Sequence, residues 1–283
     1  MLLSKPFFRE VGSGPGVVCL HANASTSSQW RGLMDSLAPR FHVLAADSFG
    51  AGRGPAWPSD RRASLRDEVE LLQPVFDRAG ERFALVAHSY GAAIALIAAL
   101  AQPRRIQALA LYEPTLFGLL DAESPPPNEA DGIRGAVASA AAAVEAGNLA
   151  RAAEYFVDFW MGSGAWTRTP EPRKGPIVQS MVNVRRWADA LFNEPTPLAA
   201  LSQLKVPVLY MMGSQSPSSS RGVGRLLIRA LPKVQVIEFN GMGHMGPVTH
   251  PEVVNDAISR FLEPASDLRR DICVSTQLSD RVS

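Results

Sequence analysis

The chain has 283 residues, 46% of them hydrophobic, enough to bury a large core within one elaborated domain. Charged side chains make up 19%, and 28 basic against 27 acidic residues leave a formal charge of +1, so no broad field draws a polyanion and nucleic acid is not an expected partner. Cys19 and Cys273 have no partners at metal-ligand or redox-motif spacing, and neither suggests a disulfide framework.

Short, nearly all-apolar runs alternate with longer helical patterns along the chain. The strands expected are Val17 to Leu20, His42 to Ala46, Phe83 to Ala87, Ile106 to Tyr112, Val206 to Met212 and Val234 to Phe239. Continuous apolar runs of this kind belong to strands buried on both sides, so the fold class is α/β: a mainly parallel sheet flanked by helices. The helix from Gly91 to Ala101 is apolar all round and rich in alanine, which places it at the centre of the molecule. Between Pro114 and Leu204 the strand pattern gives way to helical segments, opened by the Pro-rich Ser124 to Asn128 and including the Ala-rich Val137 to Ala153. The expected division is therefore a core made of residues 1–114 and 204–264, with a helical cap of residues 115–203 inserted. A final helix from about Pro251 to Leu262 carries an apolar stripe of Val253, Val254, Ala257, Ile258, Phe261 and Leu262. Residues 265–283 are polar and aperiodic and are expected to form a mobile tail.

The segment Leu85-Val86-Ala87-His88-Ser89-Tyr90-Gly91 sets a serine between an apolar strand and an apolar helix, with small residues two before and two after it. A serine on so sharp a strand-to-helix turn has strained backbone angles, and bulk at position 87 or 91 would strike the neighbouring chain. The turn exposes the hydroxyl as a candidate nucleophile and puts the Tyr90 N–H at a helix N-terminus, where a developing anion is favoured. On these residues alone, Ser89 is also compatible with a plain N-cap. Near the other end, Gly241-Met242-Gly243-His244-Met245-Gly246 lies between the last strand and the last helix, and its glycines leave the backbone free to carry an imidazole over the sheet edge. A histidine there can take the serine proton and later return it, which makes His244 the candidate general base.

With these two motifs in this order, the chain resembles the α/β-hydrolase superfamily from Phe7 to Leu262, with Ala87 in place of the first glycine of G-x-S-x-G. His21-Ala22-Asn23 looks like the H-G-N stretch of that family, and Asp47-Ser48-Phe49-Gly50-Ala51-Gly52 is similar to its D-x-x-G-x-G turn. The resemblance implies a serine hydrolase in which the N–H groups of Asn23 and Tyr90 form an oxyanion hole. It also implies that His21 and His88 flank the site. Most members carry the acid partner of the histidine in a G-x-x-D turn after the strand equivalent to Val206 to Met212. Here that turn reads Gly213-Ser214-Gln215-Ser216. Some branches, among them a group of haloalkane dehalogenases, carry the acid at the end of the preceding strand, which implies Glu113. A structural tether through Pro114, or a Ser–His dyad with a water held by Ser216, stays open.

The cap segment concentrates Tyr155, Phe156, Phe159, Trp160, Met161, Trp166, Met181 and Trp187, of which Trp160 and Trp166 are the first choices for a pocket wall. Arg168, Arg173, Arg185 and Arg186 are scattered as on a solvated face, and an acidic substrate stays open because one buried arginine would be enough to bind a carboxylate. The expected substrate is a small apolar carboxylic ester, thioester or lactone. Carbon–carbon bond hydrolysis, acyl transfer and a non-catalytic ligand-binding role stay open, whereas dehalogenase or epoxide hydrolase chemistry needs a carboxylate where Ser89 stands. No H-E-x-x-H, P-loop, G-x-G-x-x-G or cysteine cluster occurs, so no metal and no cofactor are expected. Residues 1–16 lack a secretory apolar stretch, and no segment reaches the roughly twenty apolar residues of a membrane helix, so a cytoplasmic protein without membrane partners is expected. A homodimer is left open.

Overall fold

The computed structural model describes residues 5–58 and 62–263; the expected tail and Cys273 lie outside these. The sheet contains β1 (Phe8–Val11), β2 (Gly16–Leu20), β3 (His42–Ala46), β4 (Phe83–His88), β5 (Ile106–Tyr112), β6 (Val208–Gly213) and β7 (Val234–Phe239). Their order is β1-β3-β2-β4-β5-β6-β7, with β1 antiparallel to β3 and every other pair parallel. Strand β6 opens at Val208, two residues later than expected, because Pro207 has no N–H for the ladder. The ladder starts instead with the Val208 N–H on the Lys233 carbonyl, while the Pro207 carbonyl accepts from Leu109 N–H. Strand β1 was not foreseen. It is a half-exposed edge strand carrying Arg9 and Glu10, without the nearly all-apolar run that marks β2 to β6.

Alternation along the buried strands divides the core in two. Val18, Leu20, Leu85, Ala87, Leu109, Leu111 and Tyr210 face one cluster, which takes in helix Tyr90–Ala101. Val17, Cys19, Val86, Ala108, Ala110 and Met211 face the other, closed by Trp30, Leu33 and Leu37 and by Val254, Ile258 and Leu262 of the terminal helix, residues 251–263. Val253, expected on that apolar stripe, is 48% exposed and lies off it. Residues 90–99 are all buried, as an all-apolar helix between sheet and outer helices requires.

The stretch between β5 and β6 is helical among the described residues. Its Ala-rich run divides into Asp131–Glu145 and Leu149–Met161, with Gly147 at φ 74° between them and the Asn148 side chain capping the second by accepting from Arg151 N–H at 3.0 Å. Because β2, β4, β5, β6 and β7 are parallel, the residues following each emerge at one edge of the sheet, the usual location of sites in open α/β sheets.

Candidate active site

Ser89 follows β4 as the N-cap of helix Tyr90–Ala101, at φ 56° and ψ −115°, a conformation an L-residue adopts only when its surroundings force it. Its N–H donates to the Tyr112 carbonyl at 2.9 Å, pinning the turn to β5. Position 91 has room only for glycine: a Cβ there would lie 2.6 Å from the Leu20 carbonyl oxygen and 2.7 Å from that of His21. That close approach lets the helix start hard against the chain leaving β2.

The loop after β7 brings His244 over this turn. Its Nε2 lies 2.9 Å from Ser89 Oγ and its Nδ1 lies 2.7 Å from Glu113 Oε2. Glu113 directly follows β5, at φ 45°, and its other carboxylate oxygen accepts from Gly213 N–H at 2.7 Å and from the Ser216 hydroxyl at 2.5 Å. A carboxylate so held is an acceptor for Nδ1–H, which leaves Nε2 as the acceptor of the serine proton. Ser216 therefore orients the carboxylate, and Ser220 Oγ adds a 3.3 Å contact to Nδ1. His244 and Glu113 are 1% exposed, so their pairing is not diluted by water. Trp160 stacks on the imidazole with ring centroids 4.0 Å apart and planes 26° from parallel, fixing the ring face.

His21 and His88, expected to flank the pocket, are buried and do not line the cavity. Each holds a loop instead. The Nδ1–H of His21 donates to the Ala22 carbonyl and its Nε2 accepts from Ser48 N–H. His88 Nε2–H donates to the His244 carbonyl at 2.8 Å, and its Nδ1 accepts from Gln29 Nε2 at 3.2 Å. Burial pushes both imidazoles below the ordinary histidine range, in keeping with these neutral tautomers. Gln29 Oε1 in turn accepts from Ala22 N–H at 3.2 Å. One relay thus ties the backbone beside Asn23 to the backbone of His244, and nothing in the local sequence pattern around Gln29 announces it. Gln29→Leu keeps the volume and cuts the relay; kcat is expected to fall about tenfold or more, with KM little changed. An unchanged kcat would show that the loops hold their positions unaided.

The first-turn N–H of Tyr90 has no acceptor within its helix, and its side chain turns away from the cavity to donate to buried Glu68 at 3.1 Å. Glu68 also accepts from Phe49 N–H, yet burial dominates and pushes its carboxyl up to about 8. The folded chain keeps a proton that the unfolded chain loses above the ordinary value of 4.5, so this group lowers stability progressively as pH rises from 4.5 toward about 8, and no further above that. Relative to wild type, Glu68→Gln is expected to remove a decline in Tm across that window; parallel Tm–pH curves for the two proteins would contradict it.

Asn23, Ser89 and His244 share a cavity of about 660 Å³ with Phe156, Trp160, Val184, Trp187 and Leu191 of the segment between β5 and β6. Trp166 does not line it; its ring lies under Lys174 Nζ at 5.6 Å. Arg168 and Arg173 are exposed, as expected of a solvated face, and also line the cavity, whereas Arg185 pairs with Glu145. No group of three or more metal-ligating side chains occurs among the described residues, nor is any described helix long and apolar enough to cross a membrane.

Comparison with known proteins agrees with this architecture. The chain is 23% identical over 252 residues to a pimeloyl-(acyl-carrier protein) methyl ester esterase of Nitrosomonas europaea, covering 85% of this chain and 93% of that one. A haloalkane dehalogenase of Agrobacterium fabrum is 34% identical over 108 residues, 38% of this chain and 35% of the dehalogenase. Among solved structures, an α/β hydrolase from Sphaerobacter thermophilus superposes with a TM-score of 0.68 at 25% identity, covering 88% of this chain and 95% of that one. A thermophilic esterase from Thermogutta terrifontis does so with a TM-score of 0.71 at 19% identity, covering 92% and 93%. The family model described as alpha/beta hydrolase fold matches residues 15–251, and the chain belongs to that family.

Proposed function

We propose that this protein is a serine hydrolase that cleaves a carboxylic ester, thioester or lactone of a small, largely apolar molecule through an acyl-enzyme on Ser89. The observation that carries the reading is the buried hydrogen-bonded chain from Ser89 Oγ through His244 to Glu113, opening on a cavity with mostly apolar walls. Ser89 Oγ attacks the carbonyl carbon as His244 Nε2 takes its proton, and Glu113 stabilises the imidazolium. The oxyanion is received by the N–H groups of Asn23 and Tyr90. Collapse of the tetrahedral adduct expels the alcohol, which takes the proton from His244, and water then repeats the sequence to release the acid. The helices of residues 115–203 act as a cap that shapes the acyl site. The esterase name of the Nitrosomonas relative, which aligns over most of both chains, supports an ester substrate. Dehalogenation is disfavoured by the serine at position 89, because an alkyl-enzyme ester needs a carboxylate nucleophile.

The test is labelling with a fluorophosphonate followed by peptide mapping, together with pre-steady-state hydrolysis of a para-nitrophenyl ester. One modified residue, Ser89, and a burst of nitrophenol are expected. A protein left unlabelled and inert across an ester panel would end the hydrolase reading and leave ligand binding.

A further inference from the structure

We propose that the physiological ester carries an anionic group, a carboxylate in its simplest form, at the end remote from the scissile bond, and that Arg168 and Arg173 receive it at the cavity rim. The inference rests on the hydrolase reading above and names the substrate class it leaves open.

Among the described residues the cavity is lined by no aspartate, glutamate or lysine, and these two arginines are its charged lining side chains. They belong to consecutive short helices, Ala165–Arg168 and Glu171–Ser180, whose pocket-facing members also include Pro172, Pro176 and Ile177. Neither guanidinium has a carboxylate partner among the described residues. Among the described residues the Arg168 guanidinium reaches the Ser163 carbonyl alone, at 3.4 to 3.5 Å, and Arg173 makes no side-chain hydrogen bond. The adjacent cation is treated differently: Lys174 pairs with Glu171 at 3.0 Å and lies over Trp166, away from the cavity. Positive charge is thus neutralised on the outer side of this segment and left unneutralised on the side that faces the substrate.

An apolar chamber with a cationic rim complements an amphiphilic acid. The chain of such a molecule would lie along Phe156, Val157, Ile177 and Leu191 while its carboxylate meets guanidinium groups, whose paired donors match that shape. A neutral ester of equal length fills the same chamber but leaves the rim unpaired. Both arginines are exposed, so the preference should be electrostatic, modest and sensitive to salt.

The test compares length-matched pairs of substrates: the mono-para-nitrophenyl ester of suberic acid against para-nitrophenyl octanoate, and the butyrate ester of an ω-hydroxy acid against that of the matching alkanol. The first pair puts the charge on the acyl side and the second on the alcohol side. In at least one pair the anionic member is expected to show about tenfold higher kcat/KM. That ratio should fall toward unity in R168Q/R173Q, and also in about 1 M salt, where the screening length shrinks to about 3 Å. Equal kcat/KM within both pairs, or a preference that survives the double substitution, would overturn the inference while leaving the hydrolase intact. Absence of turnover on all four esters would remove the hydrolase reading and this one with it.

Discussion

Ser89→Ala is expected to lower ester turnover about 10⁵-fold while the protein folds and binds as before, read as kcat by a coupled assay and as Kd for a non-hydrolysable ether analogue, which has no carbonyl for Oγ to attack. The size of the loss follows from what the hydroxyl does in the proposed cycle, since without Oγ no acyl-enzyme forms and His244 Nε2 loses the group it accepts from. Removing one member of a set that acts as a unit costs nearly as much as removing all of them, so background from the remaining groups should be slight. Stability is expected to change little. Ser89 makes no side-chain cap hydrogen bond to the helix it starts, and alanine tolerates φ 56° no worse than serine does. The same variant separates the enzyme from a binding protein on this fold. A binding protein would show equal Kd in both forms and no consumption of ligand by wild type, whereas the hydrolase shows equal Kd and a loss confined to kcat.

The parts of the fold legible in the sequence are those fixed by composition over a few consecutive residues. Strands β2 to β6 are almost wholly buried, and burial on both faces writes a nearly uninterrupted apolar run, whereas the edge strand β7 is half-exposed and its apolar residues are interrupted by Gln235 and Glu238. Strand β1 is half-exposed and short, so Phe8-Arg9-Glu10-Val11 carries no such mark. The division of the Ala-rich helical run at Gly147 depends on one left-handed residue and an Asn148 cap, both local signals that the overall alanine content obscures.

At the site the same distinction holds. The turn at Ser89 and the glycine-flanked loop at His244 are local chemistry, so their approach in space follows once the strand order is known. Glu113 could be named only by resemblance, after the usual position proved to hold Ser216. Its environment, with Gly213 and Ser216 donating to Oε1, becomes visible only when β5 and β6 are side by side. The Gln29 relay and the inward turn of His21 and His88 depend on side-chain directions that no periodicity encodes. Aromatic content likewise could not separate Trp160, stacked on His244, from Trp166, covered by Lys174. Nor could it tell an arginine at a cavity rim from one in open solvent.

Glu113→Gln is the substitution that decides how the imidazole is oriented. Glutamine is nearly isosteric, and its Oε1 can still accept from Gly213 N–H and Ser216 Oγ, so the β5–β6 clasp and the fold should persist. The atom replacing Oε2 is then an NH₂ donor 2.7 Å from His244 Nδ1, and Nδ1 can meet it only as an acceptor. That moves the ring proton to Nε2, where it faces Ser89 Oγ, and the base can no longer take the serine proton. Turnover is expected to drop about 10⁴-fold, as a wrong tautomer with intact geometry does in serine hydrolysis generally. Fluorophosphonate labelling should slow in parallel while Tm stays close to wild type, since the lost interaction is exchanged for a neutral hydrogen bond. Ser216→Ala separates orientation from charge: it frees one side of the carboxylate but leaves the tautomer unchanged, so a far smaller loss, about tenfold, is expected. Were Glu113→Gln to turn over substrate as wild type does, the histidine would be held in its working tautomer by another group, and among the described residues the other side chain hydrogen-bonded to Nδ1 is Ser220, whose hydroxyl lies at 3.3 Å.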